Sequence, residues 1–221
     1  GHMRAVTPMK RVPILANFEE WMKMATDNKI NAANSWNFAL IDYFHDMSLL
    51  KEGDSVNFQK ASCTLDGCVK IYTSRVDSVA TETGKLLSGL ADSRDSKKKD
   101  REDGGGSGGS LRKKINPKVM NMIDSVEKKE MSLKHMMKTV LKDKHKIEET
   151  IATLDEYKRK ASGGSAGTRM FEDRKEKALK TMAKKDLKLQ EITELLRDEI
   201  EPKLEKLRQE KRAFLDFQQT Q

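Results

Sequence analysis

Apolar residues recur every seven positions over a long stretch that begins near Pro117 and ends near Lys160. One column of this repeat is apolar in every heptad: Val119, Val126, Leu133, Val140, Ile147 and Leu154. A second column is apolar at only half of its positions, which are Ile123, Met137 and Ile151. An unbroken apolar column of this kind predicts a coiled-coil helix. The half-apolar second column leaves room for a third helix on the same seam.

A second stretch with helical periodicity follows Thr168, after a break at Gly163 and Gly164. Its apolar positions are Phe171, Ala178, Met182, Leu189, Ile192, Leu196, Ile200, Leu204, Leu207 and Phe214. Two long helices joined by so short a loop must pack antiparallel. We expect Thr168 to cap the second helix. Pro202 lacks an N–H and should kink this helix. If the two helices pair antiparallel about Gly164, Pro202 lies opposite Val126.

The N-terminal part of the chain contains shorter helical patterns. A short helix around Trp21 precedes a predicted helix over residues 32–50, which is apolar around more than half of its circumference and should be well buried. A third helix is predicted over residues 56–90. Its apolar stripe is Phe58, Ala61, Leu65, Cys68, Tyr72, Val76, Val79, Thr83, Leu86 and Leu90. Residues 92–103 are charged, and we expect them to be structureless.

The upper half of that third stripe extends beyond the reach of the two short helices. An amphipathic helix with an uncovered stripe needs a partner, and the helical hairpin of residues 111–221 offers one. The patterns together predict an all-α fold: a small helical domain whose long helix packs on a two-helix antiparallel coiled coil, giving a three-helix bundle. We expect that long helix to run antiparallel to residues 117–160. A charged fraction of 35% and an aromatic fraction of 5% favour such a rod over a thick globular core.

Glycine- and serine-rich stretches divide the chain. Gly1-His2-Met3 is similar to the remnant of a cleaved expression tag. Residues 104–110 have the composition of a flexible linker, and residues 162–165 form a second, shorter one. We therefore predict a fusion of three natural segments. These are a helical domain over residues 4–103, one coil helix over residues 111–161 and another over residues 166–221.

The net charge of +8 is unevenly distributed, since residues 111–161 contain 14 basic and 8 acidic side chains. Lysines on this helix could contact DNA phosphates without reading the base sequence. The candidates are Lys128, Lys129, Lys134, Lys138 and Lys142. The alternative interpretation is the solvated face of a Lys/Glu-rich coil. No apolar run is long enough to cross a membrane, and we expect no membrane association.

Catalytic and metal-binding motifs are missing from the sequence. It contains no phosphate-binding Walker motif and no nucleophile with an accompanying base, so we expect no enzymatic activity and no cofactor. Cys63 and Cys68 lack a second ligand pair, which makes a zinc site improbable. Cys68 is more simply a small seam residue.

Several stretches of the sequence resemble known families. The stretches Leu40-Ile41-Asp42-Tyr43 and 58–77 resemble the N-terminal domain of the condensin kleisin family, the barren or chromosome-associated protein H type. Residues 115–124 and 147–157 resemble the coil before the C-terminal head lobe of the condensin SMC ATPases, the SMC-two type. Residues 167–173 and 199–204 resemble the coil after the N-terminal head lobe of the same family. The linker at residues 162–165 would then replace the head, with the two coil segments in reversed order.

The resemblance implies an interaction module. In SMC complexes the kleisin N-terminal domain docks on the neck, the coil beside the ATPase head. It thereby closes one gate of the ring that entraps DNA during mitotic chromosome condensation, and ATP-driven head engagement loosens that gate. The parent SMC subunit is an ATPase, but the present chain lacks its ATP-binding motifs.

The resemblance also implies partners and a location. The implied partners are the other SMC subunit, the HEAT-repeat subunits and topologically entrapped DNA. The implied location is the nucleus and chromosome, with a cytoplasmic pool. Two alternative functions remain open: a sequence-independent DNA-phosphate-binding coil surface and a generic helical spacer. A spacer would not explain the aromatic-rich helices at residues 17–50.

The resemblance and the apolar stripes together predict which residues form the interface. On the kleisin side we predict Leu65, Cys68, Tyr72, Val76, Val79 and Leu86. On the neck side we predict Met137, Val140, Ile151, Leu189, Ile192 and Leu196. The sequence leaves open which column of residues 117–160 faces the kleisin segment and which faces the second coil helix.

Overall fold

A computed structural model of the chain describes residues 15–103, 117–161 and 164–220, with side chains described through residue 91 and again from residue 117. All long elements are α-helices, and one small hairpin is the only β structure within these ranges. The described chain divides into two compact units. The first contains the residues through Ser78 together with Thr139–Leu187, and the second contains Val79–Lys138 together with the residues from Lys188 onward.

The N-terminal region of the first unit contains three short helical elements. Helix α1 covers residues 15–26, a 3-10 turn covers Ser35–Asn37, and helix α2 covers Leu40–Asp46. The prediction of one continuous helix over residues 32–50 is therefore wrong.

Local hydrogen bonds explain why the chain between residues 31 and 47 is not one helix. The Asn31 N–H donates to the Asn34 side-chain oxygen at 2.8 Å, and the Asn34 N–H donates to that of Asn31 at 2.9 Å. Asparagine side chains that bond the backbone in this way favour turns over helices. At the other end, Met47 adopts a positive φ of 63° and terminates α2.

A tight β-hairpin follows α2. Strands β1 (Lys51–Glu52) and β2 (Ser55–Val56) pair antiparallel. Gly53 at the turn has a φ of +65°, which glycine adopts without strain. The hairpin brings the chain to the start of the longest helix.

Helix α3 covers Phe58–Asp103. Asn57 caps it, because the Lys60 N–H donates to the Asn57 side-chain oxygen at 3.0 Å. The prediction that residues 92–103 are structureless is wrong, since the backbone stays helical to Asp103. That stretch contains neither glycine nor proline, and its interspersed acidic and basic residues suit a helix.

Two helices form the hairpin after α3. Helix α4 covers Pro117–Lys160, as predicted, with proline in the first turn. Helix α5 covers Ala166–Leu195. Its cap is Ser165 rather than the predicted Thr168. The Thr168 N–H donates to the Ser165 hydroxyl at 3.1 Å and the Ser165 N–H donates to the Thr168 hydroxyl at 2.9 Å, so the two residues form a reciprocal capping pair.

A π-helical turn over Leu196–Ile200 separates α5 from helix α6, which covers Glu201–Gln219. The Glu201 N–H bonds to the Leu196 carbonyl five residues back. Ile192, Leu196, Ile200 and Leu204 follow one another at intervals of four, where a heptad would place one interval of three. A π-turn holds one additional residue, which keeps the apolar stripe on one side of the helix.

Pro202 is not opposite Val126, so that prediction is wrong. Glu201 forms an ion pair with Lys134 at 3.1 Å, and Arg208 forms one with Glu130. The pairs nearest the loop are centred on Ser165 rather than on Gly164, and the pairs beyond the π-turn are shifted further in the same direction. Those loop-proximal pairs are Lys158–Glu172 and Asp155–Lys175.

The ion pairs of the first unit show the relative directions of its long helices. Asp66 pairs with Arg174 and Asp77 with Lys185, so α3 runs parallel to α5. The pairs between α4 and α5 rise in residue number on one helix as they fall on the other, so these helices are antiparallel. Helix α3 is therefore antiparallel to α4. The prediction of an all-α fold, with a long helix packed on an antiparallel two-helix coil, is confirmed.

Candidate functional site: the contact between helix α3 and the α4–α5 hairpin

The predicted apolar stripe of α3 is fully buried. Leu65, Cys68, Tyr72, Val76 and Val79 have no measurable exposure, and Leu86 is 2% exposed. Helix α2 lies against α3, since a Cβ at Gly67 would lie 2.9 Å from a methyl carbon of Leu40, and its Leu40, Ile41 and Phe44 side chains are buried. In the first unit, the ion pairs described below place α4 and α5 on the remaining sides. An interface role for these six residues stays a prediction that their burial supports.

The predicted neck residues are also mostly buried. Met137, Val140, Ile151, Leu189 and Ile192 are between 0% and 9% exposed. Leu196 is only half-buried, and it is the first residue of the π-turn. The widened turn changes the direction of side chains relative to a regular α-helix, which explains why Leu196 faces the core less fully than the heptad pattern suggests.

Arg75 of α3 makes the most deeply buried polar contact of the site. Its Nη1 donates to the Asp143 carboxylate of α4 at 2.6 Å. Its Nε donates to the Ser35 carbonyl at 3.1 Å and its Nη2 to the Phe38 carbonyl at 2.5 Å. The guanidinium also lies 5.4 Å from the centre of the Trp36 ring. One side chain therefore joins the 3-10 turn, α3 and α4.

Burial affects the protonation of this cluster. It raises the pKa of the Asp143 carboxyl, and the Arg75 guanidinium opposes that shift. Burial likewise raises the pKa of the Cys68 thiol well above its usual range. Cys63, five residues earlier and on another face of the helix, is exposed.

Further contacts to α4 come from α2 and the β-hairpin, outside the predicted interface. Asp42 pairs with Lys146 at 2.6 Å, and His45 lies 3.6 Å from Glu149. The Lys51 ammonium lies 5.1 Å from the centre of the Tyr157 ring. The sequence interpretation missed these residues because it took the interface from the apolar stripes, and all three of these side chains are polar or charged.

Helix α5 also contacts the N-terminal segment. The Phe58 and Phe171 rings lie 5.7 Å apart at a tilted angle, and both side chains are buried. Asp66 and Asp77 form the ion pairs with α5 described above. Aromatic contacts of this kind add to the energy of apolar burial.

The contacts show which side of α4 faces the N-terminal segment and which side faces α5, a question that the sequence left open. Asp143, Thr150 and Tyr157 form one seven-residue column, and its first and last members contact Arg75 and Lys51. The neighbouring column contains Lys144 and Lys158, which pair with Asp186 and Glu172 of α5. The column that faces the N-terminal segment is thus largely polar. A search restricted to apolar columns could not find it.

Tyr72 has a different polar environment. Its side chain is fully buried, and its hydroxyl has no hydrogen-bond partner among the described residues. Burial raises the pKa of this phenol, and the negative charges of Asp186, Glu148 and Asp143 raise it further. Helices α4 and α5 therefore place carboxylates near this part of α3.

The candidate DNA-contacting lysines are all exposed on α4. Lys134 pairs with Glu130 at 2.7 Å and with Glu201. The other four, Lys128, Lys129, Lys138 and Lys142, form no ion pair with another described residue. Within the described ranges, no group of three or more His, Cys, Asp or Glu side chains is arranged to hold a metal ion. No helix in those ranges is both long and apolar enough to span a membrane.

Comparisons with known proteins relate the chain to two groups of proteins. The family model described as condensin complex subunit 2 matches residues 1–162. Condensin complex subunit 2 of Schizosaccharomyces pombe is 83% identical over 81 residues, which are 37% of this chain and 11% of that protein. The Saccharomyces cerevisiae protein of the same name is 65% identical over 100 residues, 45% of this chain and 13% of its own length.

A second group of relatives has a different name. Structural maintenance of chromosomes protein 2 of Saccharomyces cerevisiae is 70% identical over 57 residues, which are 26% of this chain and 5% of that protein. The chain thus spans only a small part of the length of any of these relatives. Because the matched family model covers more than half of its residues, the chain belongs to the condensin complex subunit 2 family, and it also carries sequence similar to structural maintenance of chromosomes protein 2, as a fusion of the two would.

Proposed function

We propose that the chain is the kleisin–SMC neck gate of condensin in minimal form. The segment similar to condensin subunit 2 docks through α3 and α2 on the coil similar to the SMC protein. In the full complex this contact closes the ring that entraps DNA during mitotic chromosome condensation, and ATP-driven head engagement opens it. The buried Arg75–Asp143 pair, which joins the two segments at 2.6 Å, is the observation that carries the proposal.

The character of the contact supports a structural role rather than catalysis. Apart from the buried Arg75–Asp143 pair, the α3 stripe at its centre is apolar and buried, while most of the other ion pairs involve half-buried or exposed side chains. Apolar burial contributes about 25 cal/mol per Å² and does not depend on charge screening, whereas exposed ion pairs contribute little and weaken in salt. A gate built in this way should stay closed at physiological salt until another event opens it.

The larger assembly follows from the same proposal. The chain would work with the other SMC subunit and the HEAT-repeat subunits, on chromosomes in the nucleus, with DNA held topologically. ATP hydrolysis would belong to the SMC heads. The aromatic packing of the N-terminal segment argues against a generic spacer, because Trp21 stacks on Tyr43 at 5.3 Å and meets Phe38 edge-on at 6.2 Å. A spacer needs no such cluster.

A cut in the first linker tests the proposal. Residues 104–110 are replaced by a protease recognition sequence, the folded protein is cleaved, and the products are separated by gel filtration at low micromolar concentration in 0.15 M and 1 M salt. We expect the two fragments to elute together as a one-to-one complex at both salt concentrations. Fragments that separate at 0.15 M salt would contradict the proposal.

A sequence-independent DNA-binding surface is the second candidate function. Four exposed lysines that form no ion pair with a described residue favour it: Lys128, Lys129, Lys138 and Lys142. Phosphate contacts would make the logarithm of the affinity fall linearly with the logarithm of the salt concentration. Binding of a labelled duplex that is lost in Lys138→Glu and Lys142→Glu, and retained in Lys180→Glu on α5, would support this function.

A further inference from the structure

A buried charged pair lies among the apolar side chains of the α3 stripe. The Arg75 and Asp143 side chains are 8% and 5% exposed, and each belongs to a different segment of the fusion. The buried side chains nearest to Arg75 along α3 are Ile71, Tyr72 and Val76, and none of them offers a counter-charge. Asp42 of α2, a carboxylate of the same segment, pairs with Lys146 instead, so the negative partner of the guanidinium is Asp143 of the other segment.

The remaining bonds of Arg75 lie within its own segment. Its two bonds to the Ser35 and Phe38 carbonyls hold the guanidinium against the 3-10 turn. The side chain is thus positioned before any partner contributes to the site. Such a fixed, planar donor matches a carboxylate at one place and one orientation.

We propose that Arg75 selects its partner: it admits a neck helix that carries a carboxylate at the heptad position of Asp143 and rejects one that carries an apolar residue there. This inference rests on the proposed gate and adds the feature that determines its specificity. A buried ion pair adds little net stability compared with apolar residues of the same volume. Removal of one partner is costly, however, because it leaves a buried charge unpaired. Apolar seams alone discriminate poorly between similar coils, and a penalty against the wrong partner supplies what they lack.

The surroundings of Tyr72 provide a matched control. Its hydroxyl is as deeply buried as the Arg75 guanidinium and also lies near neck carboxylates, yet it has no hydrogen-bond partner among the described residues. If polarity in the seam selected the partner in general, both residues would matter. If the Arg75–Asp143 pair selects it, removal of the Tyr72 hydroxyl should have little effect.

A double-mutant cycle in the intact chain tests the inference. The folding equilibrium of the wild type, Asp143→Leu, Arg75→Leu and the double variant is measured by urea unfolding. We expect Asp143→Leu to reduce the folding equilibrium constant at least 100-fold when Arg75 is present and less than about 5-fold when Arg75 is replaced by leucine. An equal loss in both backgrounds would overturn the inference.

Two further variants keep the test decisive. If Asp143→Leu does not fold, Asp143→Asn replaces it in both backgrounds, and a loss that is at least 5-fold larger with Arg75 than without it is expected. Tyr72→Phe should stay within about 3-fold of the wild type. A loss for Tyr72→Phe as large as that for Asp143→Leu would show that the whole seam is sensitive to polarity, and it would also overturn the inference.

The double-mutant cycle and the linker-cleavage experiment test separate claims, so either claim can be contradicted without the other. Fragments that separate after cleavage would contradict the gate, while the cycle in the uncut chain would still report whether Arg75 and Asp143 are coupled. An additive cycle combined with co-eluting fragments would leave the gate in place and remove only the selective role of Arg75.

Discussion

The Arg75 guanidinium of helix α3 donates a hydrogen bond of 2.6 Å to the Asp143 carboxylate of helix α4, and less than a tenth of either side chain is exposed. The same guanidinium donates hydrogen bonds to the backbone carbonyls of Ser35 and Phe38. Three segments that are distant in sequence therefore share one side chain. This set of hydrogen bonds depends on a planar side-chain group with several N–H donors, which the Arg75 guanidinium provides.

Arg75→Lys tests that dependence. A lysine keeps the charge but cannot direct separate N–H groups to two carbonyls and a carboxylate at once. We expect a loss of about 2–4 kcal/mol in the free energy of unfolding, because buried polar groups lose their partners. Urea unfolding measures it, with the exposed Lys85→Arg as the control. A loss below about 0.5 kcal/mol would mean that charge alone is sufficient.

Gly67 and Gly84 form a matched pair within α3. A Cβ at Gly67 would lie 2.9 Å from a methyl carbon of Leu40, while nothing lies within 4 Å of a Cβ at Gly84. We expect Gly67→Ala to destabilise by about 1 kcal/mol, since the Leu40 side chain must move. Gly84→Ala should stabilise by about 0.4–1 kcal/mol through the lower entropy of the unfolded chain. Chemical unfolding of both variants shows whether each change raises or lowers the free energy of unfolding. A change in the same direction for both variants would contradict this packing.

Val76→Asp should release α3 from the hairpin. The Val76 side chain is fully buried, and an unpaired carboxylate there costs several kcal/mol. Limited proteolysis should then cut within residues 56–90, while circular dichroism still reports a helical hairpin. The exposed Thr81→Asp is the control and should stay resistant. Unchanged protease resistance of residues 56–90 in Val76→Asp would rule out the predicted interface.

The π-turn predicts where a deletion is tolerated. In a Pro202→Ala background, deletion of Asp198 should restore regular heptad spacing from Ile192 through Leu207 and preserve the fold. Deletion of Lys184 in the same background should rotate the following residues by about 100° and move Leu189 and Ile192 off the seam. Thermal unfolding distinguishes the two deletions. Equal losses of melting temperature would show that the additional residue is not confined to the turn.

Cys68 should report opening of the contact. Burial shields this thiol and raises its pKa, so at neutral pH the closed state holds almost no reactive thiolate. We expect a fast phase of thiol labelling from the exposed Cys63 and a slow phase from Cys68, with only the fast phase lost in Cys63→Ser. Val76→Asp should merge the two phases. Rapid labelling of Cys68 in the otherwise unchanged protein would contradict a closed seam.

The long helices and their seam were predictable from the sequence. The heptads gave α4 its bounds of Pro117–Lys160, and every residue of the α3 stripe predicted for the interface is buried. Both results follow from local chemistry, because helical periodicity and the exclusion of water from apolar side chains act along one element at a time. The interval of four residues between Leu196 and Ile200 also marks the π-turn in the sequence, although the prediction used only Pro202.

Other features depended on groups far apart in the chain. The region of residues 31–47 is divided into short elements because Asn31, Asn34 and Met47 interrupt the helix. In addition, Arg75 donates hydrogen bonds to two backbone carbonyls of this region. Residues 92–103 are helical although their charge predicted otherwise. The polar column of Asp143, Thr150 and Tyr157 belongs to the contact because α3 and the β-hairpin provide its partners. Burying a polar side chain costs free energy unless a hydrogen-bonding partner meets it. For that reason the sequence by itself determined the helices and their apolar faces, and only the tertiary structure decided which polar residues join them.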